Sequence, residues 1–204
     1  ASGEQGAQVR AAWLFMCRLG VWLYFRLHLY RVWSNLYRLI WEREYRGKPL
    51  HSFKSLEEVG EYMRLKAGDW RADSWKQLGD AVSYPQKAQA VFDRVVPVPE
   101  AGLDCDEFAI FLTAALQQSV SDGTFTGPEA PVPRFFTVMW LEGWKPAGHN
   151  VCLVRHKGHY AYMDYGQPVG HEDTIQSLAE SISVRYGAPD AVLISHVVQD
   201  SALK

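Results

Sequence analysis

The sequence predicts an α+β protein in which one buried helix precedes an antiparallel sheet. The helix is indicated by "FAIFLTAALQQSV", which is apolar nearly all round, as expected of a central helix with no solvent-facing side. Strands are indicated at 134–142, 150–156 and 159–165, because these segments are rich in β-branched and aromatic residues. A helix at 174–185 and a strand at 191–198 complete the predicted domain.

Length and composition fit one folded domain with an N-terminal extension. The chain has 204 residues, of which 48% are hydrophobic and 22% charged, values typical of globular proteins and unlike those of disordered chains. We predict a helical extension over 1–50 and a single domain over 51–204. The net charge of -2 gives no overall attraction to nucleic acid, so we expect no nucleic-acid partner.

The three cysteines, Cys17, Cys105 and Cys152, are too few and too scattered for a disulfide framework. No two of them form a CxxC pair, which excludes a structural zinc site of the usual spacing. This cysteine usage favours a reducing compartment such as the cytoplasm. We expect Cys17 and Cys152 to be packing residues.

The N-terminal segment is predicted to form one long helix over 9–46, rich in aromatic residues and arginine, after a small and polar segment at 1–8 that lies outside it. Arginines interrupt its apolar stretches too often for a transmembrane span of about 18–20 residues, and no signal-peptide cleavage pattern follows. From His28 onward the pattern is amphipathic. We expect this helix to pack on the domain or on a partner protein, and a membrane surface is the alternative.

Further helices are predicted at 55–66, from a capping box, and at 85–94, from its opening proline. Asp104 and Glu107 have the spacing of another capping box at the start of the buried helix. Cys105 would then be the first residue of that helix.

The hairpin formed by the second and third strands is predicted to bring His149 close to Asp164. A two-residue turn at 157–158 pairs residue 156 with residue 159 and, by continuation, Val151 with Asp164. His149 lies two residues before Val151, so it shares that face and becomes a diagonal neighbour of Asp164. A carboxylate on this otherwise apolar face needs a partner, which favours the contact. A three-residue turn would reverse the parity and remove it.

A cysteine, a histidine and an aspartate in these places can form a nucleophilic triad. Cys105 would be the nucleophile, His149 the general base, and Asp164 the acceptor that orients the imidazole. The helix N-terminus lowers the pKa of a thiol, whereas neighbouring carboxylates raise it. Taken alone, a cysteine on an apolar helix is more often a small packing residue, and this alternative stays open.

Asp104, Asp106 and Glu107 surround that cysteine in the sequence. Carboxylates in the first turn stabilise a helix through its dipole, which is the simplest explanation for them. Clustered carboxylate oxygens also suit Ca²⁺, so a calcium site formed by these three residues is the alternative. The predicted thiol chemistry requires no cofactor.

Three segments, "GLDCDEFAIFLTAAL", "GHNVCLV" and "YAYMDYG", together resemble the transglutaminase-like cysteine protease superfamily. The closest similarity is to the bacterial transglutaminase-like cysteine proteinases, whose cysteine segment resembles "DCDEFA". The resemblance spans residues 55–198 and implies a papain-like core. It also implies that Cys105 is the nucleophile, His149 the base and Asp164 the acid.

Two features depart from that family. Leu103 stands where these motifs often carry glycine, and the helix predicted over 9–46 has no counterpart in it. Both departures concern substrate and partners more than the chemistry of the triad.

The expected function is that of a cysteine peptidase acting on a protein or peptide through an acyl-thioester. Acyl transfer to an amine, as in a transglutaminase, uses the same intermediate and is the close alternative. A cell-wall peptidase of related chemistry would more often show Ser-Gly after the Asp-Cys, where this chain has Asp-Glu. From another class, the chain would be a non-catalytic binding or assembly module, an interpretation that the long aromatic helix favours.

Overall fold

The computed structural model describes residues 2–27, 49–66, 85–93, 104–126, 131–164 and 168–199. The described helices are α1 (Ser2–Arg26), α2 (Leu56–Lys66), α3 (Pro85–Phe92), α4 (Cys105–Ser121) and α5 (Ile175–Tyr186). The strands are β1 (Arg134–Glu142), β2 (Lys145–His156), β3 (His159–Met163), β4 (Val169–Glu172) and β5 (Val192–Gln199). The predicted α+β class is confirmed.

The five strands form one sheet in the order β4-β3-β2-β1-β5, and every neighbouring pair is antiparallel. The turn between β2 and β3 has the two-residue length that the sequence predicts, because His156 pairs directly with His159. Its central residues have positive φ angles, 52° at Lys157 and 82° at Gly158. Such a turn matches the right-handed twist of the strands and fixes the register of the hairpin.

Helices cover both faces of the sheet, and each face has its own apolar core. Helices α2, α3 and α4 pack on one face, which we call the α4 face; its strand residues are Cys152, Val154, Ala161 and Met163. Helix α5 packs on the opposite face, the α5 face, whose strand residues include Val151, Leu153 and Tyr162. The two sets alternate along β2 and β3, as the pleat of a strand requires.

A capping box fixes the start of α4. The side chain of Asp104 accepts a hydrogen bond from the backbone N–H of Asp106, and the carboxylate of Glu107 accepts one from the N–H of Asp104 at 3.0 Å. The predicted box is therefore present. It makes Cys105 the first residue of the helix, where the backbone N–H groups carry partial positive charge.

Helix α1 is attached beside the sheet edge formed by β5. The indole N–H of Trp13 donates to the carbonyl of Trp144 at 3.0 Å, and the guanidinium of Arg18 donates to the carbonyls of Leu193 and Ile194 at 3.3 and 3.2 Å. The Arg18 bonds satisfy carbonyls on the edge strand, and the Trp13 bond satisfies one in the turn between β1 and β2. Among the described helices, none combines the length and apolarity needed to cross a membrane.

The bounds of α1 correct the prediction for the N-terminal segment. The helix begins at Ser2, so the expectation that 1–8 lies outside it is wrong. Gly6 does not interrupt the helix. The helix also ends at Arg26 rather than at 46. The amphipathic pattern predicted from residue 28 onward lies outside the described residues.

The strands also differ from the prediction in several places. Strand β2 begins at Lys145 rather than at 150, because its pairing with β1 starts directly after a two-residue turn, at Glu142 and Lys145. Pro146 and Gly148, which lie between the observed and the predicted start of β2, weaken the strand signal in the sequence. Strand β3 ends at Met163. Strand β4, with four residues, was not predicted.

Candidate active site

The predicted contact between His149 and Asp164 is present. His149 Nε2 lies 3.1 Å from Asp164 Oδ2, and both side chains are buried. His149 lies in β2, and Asp164 follows the last residue of β3, so the hairpin register places them diagonally across the two strands. Such a pair gives each polar group a partner inside the α5 face.

Tyr186, the last residue of α5, completes this cluster. Its hydroxyl donates to Asp164 Oδ2 at 2.6 Å, and its ring lies against the imidazole of His149 with centroids 4.2 Å apart. Burial and then the neighbouring Asp164 carboxylate raise the pKa of Tyr186 far above its ordinary value. The hydroxyl therefore remains a donor throughout the physiological pH range.

This arrangement distinguishes the two nitrogens of the imidazole. The Asp164 carboxylate offers only acceptor oxygens, to the Tyr186 hydroxyl and to the imidazole alike. Nε2 of His149 is therefore the nitrogen that carries the hydrogen. In the part of the chain that the structure describes, Nδ1 has no hydrogen-bond partner. Nδ1 is then the ring atom that can take up a proton, while Asp164 holds the tautomer and the ring orientation.

Cys105 lies next to Asn150, the residue that follows His149 in β2. The Nδ2 of Asn150 is 4.0 Å from Cys105 Sγ. The Oδ1 of Asn150 accepts a hydrogen bond from the hydroxyl of Thr137 at 2.7 Å, which turns the amide N–H groups away from Thr137. Thr137 thus orients the Asn150 amide so that its N–H groups face the sulfur.

The structure therefore brings His149 and Asp164 together and places Cys105 beside the neighbour of His149. Asn150 alternates with Cys152 on the α4 face, whereas His149 alternates with Val151 on the α5 face. Within the described residues, no hydrogen bond joins Cys105 to His149. The thiol therefore lies on the α4 side of the sheet, and the imidazole lies on the α5 side.

Electrostatics keep the Cys105 thiol protonated in this arrangement. Burial raises its pKa well above the ordinary value, and the charges of Asp104 and Asp106 raise it further. The contact with Asn150 lowers the pKa but does not offset these effects, to which Glu107 adds a small increase. By comparison, burial raises the pKa of Cys152 to about 12. In this geometry these effects favour the neutral thiol over the thiolate.

No protein-family model, curated protein or solved structure matches this chain. The papain-like core and the superfamily membership therefore remain predictions from the three motifs. What the structure establishes is an antiparallel five-stranded sheet with helices on both faces, one of which begins at Cys105.

The acidic residues at the start of α4 fit Ca²⁺ poorly. One carboxylate oxygen each from Asp104 and Asp106 and the sulfur of Cys105 lie within 4.8 Å of one another. Ca²⁺ takes six to eight oxygen ligands, and sulfur is not among those it prefers. Glu107, the third residue of the predicted set, is buried and serves the capping box. We derive no chemical step through a metal at this position.

Glu107 predicts a pH dependence of stability. Its pKa is raised well above the ordinary 4.5, first by burial, then by Asp106 and by a side-chain hydrogen bond with Asp104. A raised carboxyl pKa contributes stability that is complete below the unfolded pKa and is lost as pH rises through the folded pKa. Glu107→Gln removes the charge and keeps a cap acceptor, so its stability relative to the native chain should increase as pH rises from 4.5.

Urea unfolding of both proteins between about pH 4.5 and pH 8 measures this difference. The matched control is Glu58→Gln, because the exposed Glu58 carboxylate also caps a helix, by accepting from the N–H of Lys54. The control reports what the loss of an exposed cap carboxylate does to stability at each pH. A Glu107→Gln difference that follows the control at every pH would contradict the raised pKa of Glu107.

A separate cavity of about 590 Å³ lies between α1, α5 and β5. Arg18, Glu180 and His196 are among the residues that line it, and it includes none of the predicted triad residues. Burial lowers the pKa of His196, and the charge of Glu180 opposes that effect.

Two site residues, Tyr186 and Asn150, were not predicted from the sequence. The helix was predicted to end at 185, although Leu178, Ile182 and Tyr186 recur every four residues and so lie on one face of α5. That spacing is the signal that could have identified Tyr186. For Asn150, the one signal in the sequence is its position next to His149. Nothing in the sequence indicates its contact with Thr137.

Proposed function

We propose that this chain is a thiol hydrolase that cleaves peptide bonds through an acyl-thioester on Cys105. The observation that carries the proposal is the buried His149–Asp164 pair, one strand position away from the residue that contacts the thiol. A buried imidazole with one nitrogen held by a carboxylate and the other unpaired in the described residues is the base that thiol chemistry needs. The position of Cys105 at a helix N-terminus supports the same function.

The reaction uses these groups in two steps. Cys105 Sγ bonds to the substrate carbonyl carbon while its proton passes to His149 Nδ1, and that proton then leaves with the amine as the C–N bond breaks. A water molecule next gives one proton to Nδ1 and bonds through its oxygen to the thioester carbon. The C–S bond breaks, the sulfur recovers the proton, and the carboxylic acid leaves.

The reaction requires a rearrangement of β2 at His149 and Asn150 that brings the Cys105 sulfur within hydrogen-bond reach of His149 Nδ1, because the thiol and the imidazole lie on opposite sides of the sheet. Catalytic hydrogen bonds are often long in free enzymes and tighten in the substrate complex. Once the sulfur has moved, the amide of Asn150 and the backbone N–H of Cys105 are donors available to the oxyanion of the tetrahedral intermediate. The pairing with an imidazolium must also outweigh the charges of Asp104 and Asp106.

Acyl transfer to an amine is the alternative within the same chemistry. An amine that replaces water in the second step forms an isopeptide or amide product from the same thioester. Incorporation of a primary amine into a glutamine-containing peptide, compared with release of free acid, distinguishes the two.

A second candidate, a non-catalytic binding or assembly module, is favoured by the raised pKa of Cys105 and by its contact with Asn150 rather than His149. In that case Cys105 is a half-buried packing thiol, and the His149–Asp164–Tyr186 cluster stabilises the fold. The two candidates differ in the reactivity of one sulfur atom.

The test is the rate of iodoacetamide alkylation at Cys105 as a function of pH, followed by peptide mass spectrometry. For a hydrolase we expect rapid labelling well below the ordinary thiol pKa of about 8.5, and we expect His149→Ala to slow it at least about tenfold at neutral pH. The matched control is His196→Ala, which removes another partly buried imidazole outside the site. A chelator is included to detect a metal effect.

Labelling only at high pH, unchanged by His149→Ala, would reject the hydrolase and favour the binding module. Cys152 gives an internal standard for a buried, unactivated thiol in every sample. Hydrolysis of a fluorogenic peptide library by the native chain, absent in Cys105→Ser, would complete the support for peptidase activity.

A further inference from the structure

Helix α1 has a wide apolar face that no other described residue covers. The side of α1 toward the domain carries the half-buried Leu14, Cys17 and Val21. The outward side exposes a continuous apolar surface: Val9, Phe15, Met16, Leu19, Trp22, Leu23 and Leu27. Phe15 and Trp22 are 64% and 57% exposed, values that are costly for large apolar side chains in water.

Between Val9 and Leu27, the outward face carries no acidic residue. The acid in α1 is Glu4, near its N-terminus, and the basic residues are Arg10, Arg18 and Arg26. Arg10 and Arg18 are engaged with the domain, by a 4.0 Å ion pair to Asp190 and by the carbonyl contacts of the edge strand. Arg26 is exposed at the end of the helix.

The charge of the chain is divided sharply between its two parts. Residues 1–50 contain eight basic and three acidic residues, a net charge of +5. Residues 51–204 contain 13 basic and 20 acidic residues, a net charge of -7. The near-neutral net charge of the whole chain is therefore the sum of two opposite contributions. The basic N-terminal part attracts anionic surfaces, and the acidic domain is repelled by them.

We propose that α1 lies on an anionic lipid bilayer, with the outward apolar face inserted at the headgroup boundary. Tryptophan, phenylalanine and leucine on the outward side, with the exposed Arg26 at the end of the helix, suit the headgroup boundary of an anionic bilayer. The helix is about 37 Å long, which gives a long strip of contact parallel to the surface. The acidic domain is held away from the bilayer, so α1 makes the contact.

The same charges disfavour a second copy of the chain as the occupant. Pairing two outward faces would bring two α1 helices, each with three arginines and one glutamate, against each other, and like charges oppose such pairing. Phosphate headgroups neutralise that charge instead. This contact is independent of the thiol chemistry proposed above.

The test is flotation of the full-length chain with vesicles of phosphatidylcholine, with and without about one-third phosphatidylglycerol. We expect binding to the anionic vesicles that falls several-fold when sodium chloride is raised from about 0.1 to 0.5 M. Phe15→Gln combined with Trp22→Gln should lower the apparent partition coefficient at least about tenfold, because both side chains insert.

The matched control combines Leu65→Gln with Val184→Gln, which changes two apolar residues of similar exposure outside α1, 73% and 74%. It should bind as the native chain does. Equal binding to neutral and anionic vesicles, or equal binding by the α1 double variant, would overturn the proposal. So would a lipid-free dimer in light scattering that the α1 double variant dissociates, because the occupant would then be a second copy.

Discussion

Replacing Asp164 with alanine is expected to lower the free energy of unfolding by about 3 to 5 kcal/mol, the usual cost of removing one member of a buried pair. The carboxylate accepts from two groups on the same oxygen, the buried His149 Nε2 at 3.1 Å and the partly buried Tyr186 hydroxyl at 2.6 Å. Alanine leaves both donors without an acceptor inside the α5 face. Urea unfolding at neutral pH measures this loss as a shift of the transition midpoint, with an unchanged slope of the free energy against urea concentration.

The chain contains a matched control in an exposed histidine–aspartate pair. His159 Nδ1 lies 2.9 Å from Asp173 Oδ1, but these side chains are 45% and 86% exposed. Asp173→Ala should change stability little, because water replaces the lost partner. Equal losses for the Asp164 and Asp173 variants would contradict the view that burial gives the first pair its importance.

A second substitution at position 164 separates stability from chemistry. Asp164→Asn keeps the shape and an acceptor oxygen for Tyr186, so it should cost less stability than alanine. It should still impair a triad, because an amide stabilises an imidazolium poorly and can fix the wrong tautomer. Slow alkylation of Cys105 in a folded Asp164→Asn protein would therefore mark a catalytic pair, and unchanged alkylation a structural one.

The hairpin that forms the pair could be predicted because its information is local. Lys157 and Gly158 select a two-residue turn, and strand alternation then carries the register as far as His149 and Asp164 without reference to the rest of the chain. The same holds for the capping box of Asp104, whose partners lie within three residues. Such elements depend on backbone geometry more than on the tertiary environment.

The position of Cys105 relative to the imidazole could not be predicted in this way. Alternation places Cys152 and His149 on opposite faces, but both faces of the hairpin are apolar, one with Val154 and Met163 and the other with Val151. The sequence therefore does not say on which face α4 packs. Tertiary packing decides this, and it puts Asn150 rather than His149 toward the helix.

The position of the Tyr186 side chain also depends on tertiary structure, because Gly187, which follows it, determines how the chain leaves α5. Gly187 ends α5, and its N–H donates to the carbonyl of Ser183. A side chain at this position would start 2.4 Å from Ser183 O and 2.7 Å from Trp140 Nε1. Only glycine lets the chain leave the helix this close to β1 while Tyr186 remains against His149.

Gly187→Ala is accordingly expected to lower the free energy of unfolding by about 1 to 3 kcal/mol, the usual cost of an extra methyl group in a packed site. The nearest atom is a backbone oxygen, which cannot move without shifting the end of α5. Thermal unfolding with a matched urea titration measures the loss. A neutral substitution would show that the end of the helix is loosely held.

Gly20→Ala in α1 is the control, since an added methyl there meets nothing within 4 Å, and in a helix interior it should stabilise by up to about 1 kcal/mol. Shifting the end of α5 also moves the Tyr186 hydroxyl from Asp164, so Gly187→Ala carries a second readout. If Tyr186 positions the pair for catalysis, alkylation of Cys105 should slow in Gly187→Ala as it does in Tyr186→Phe. If the cluster only stabilises the fold, both variants should lose stability and leave the reactivity of the thiol unchanged.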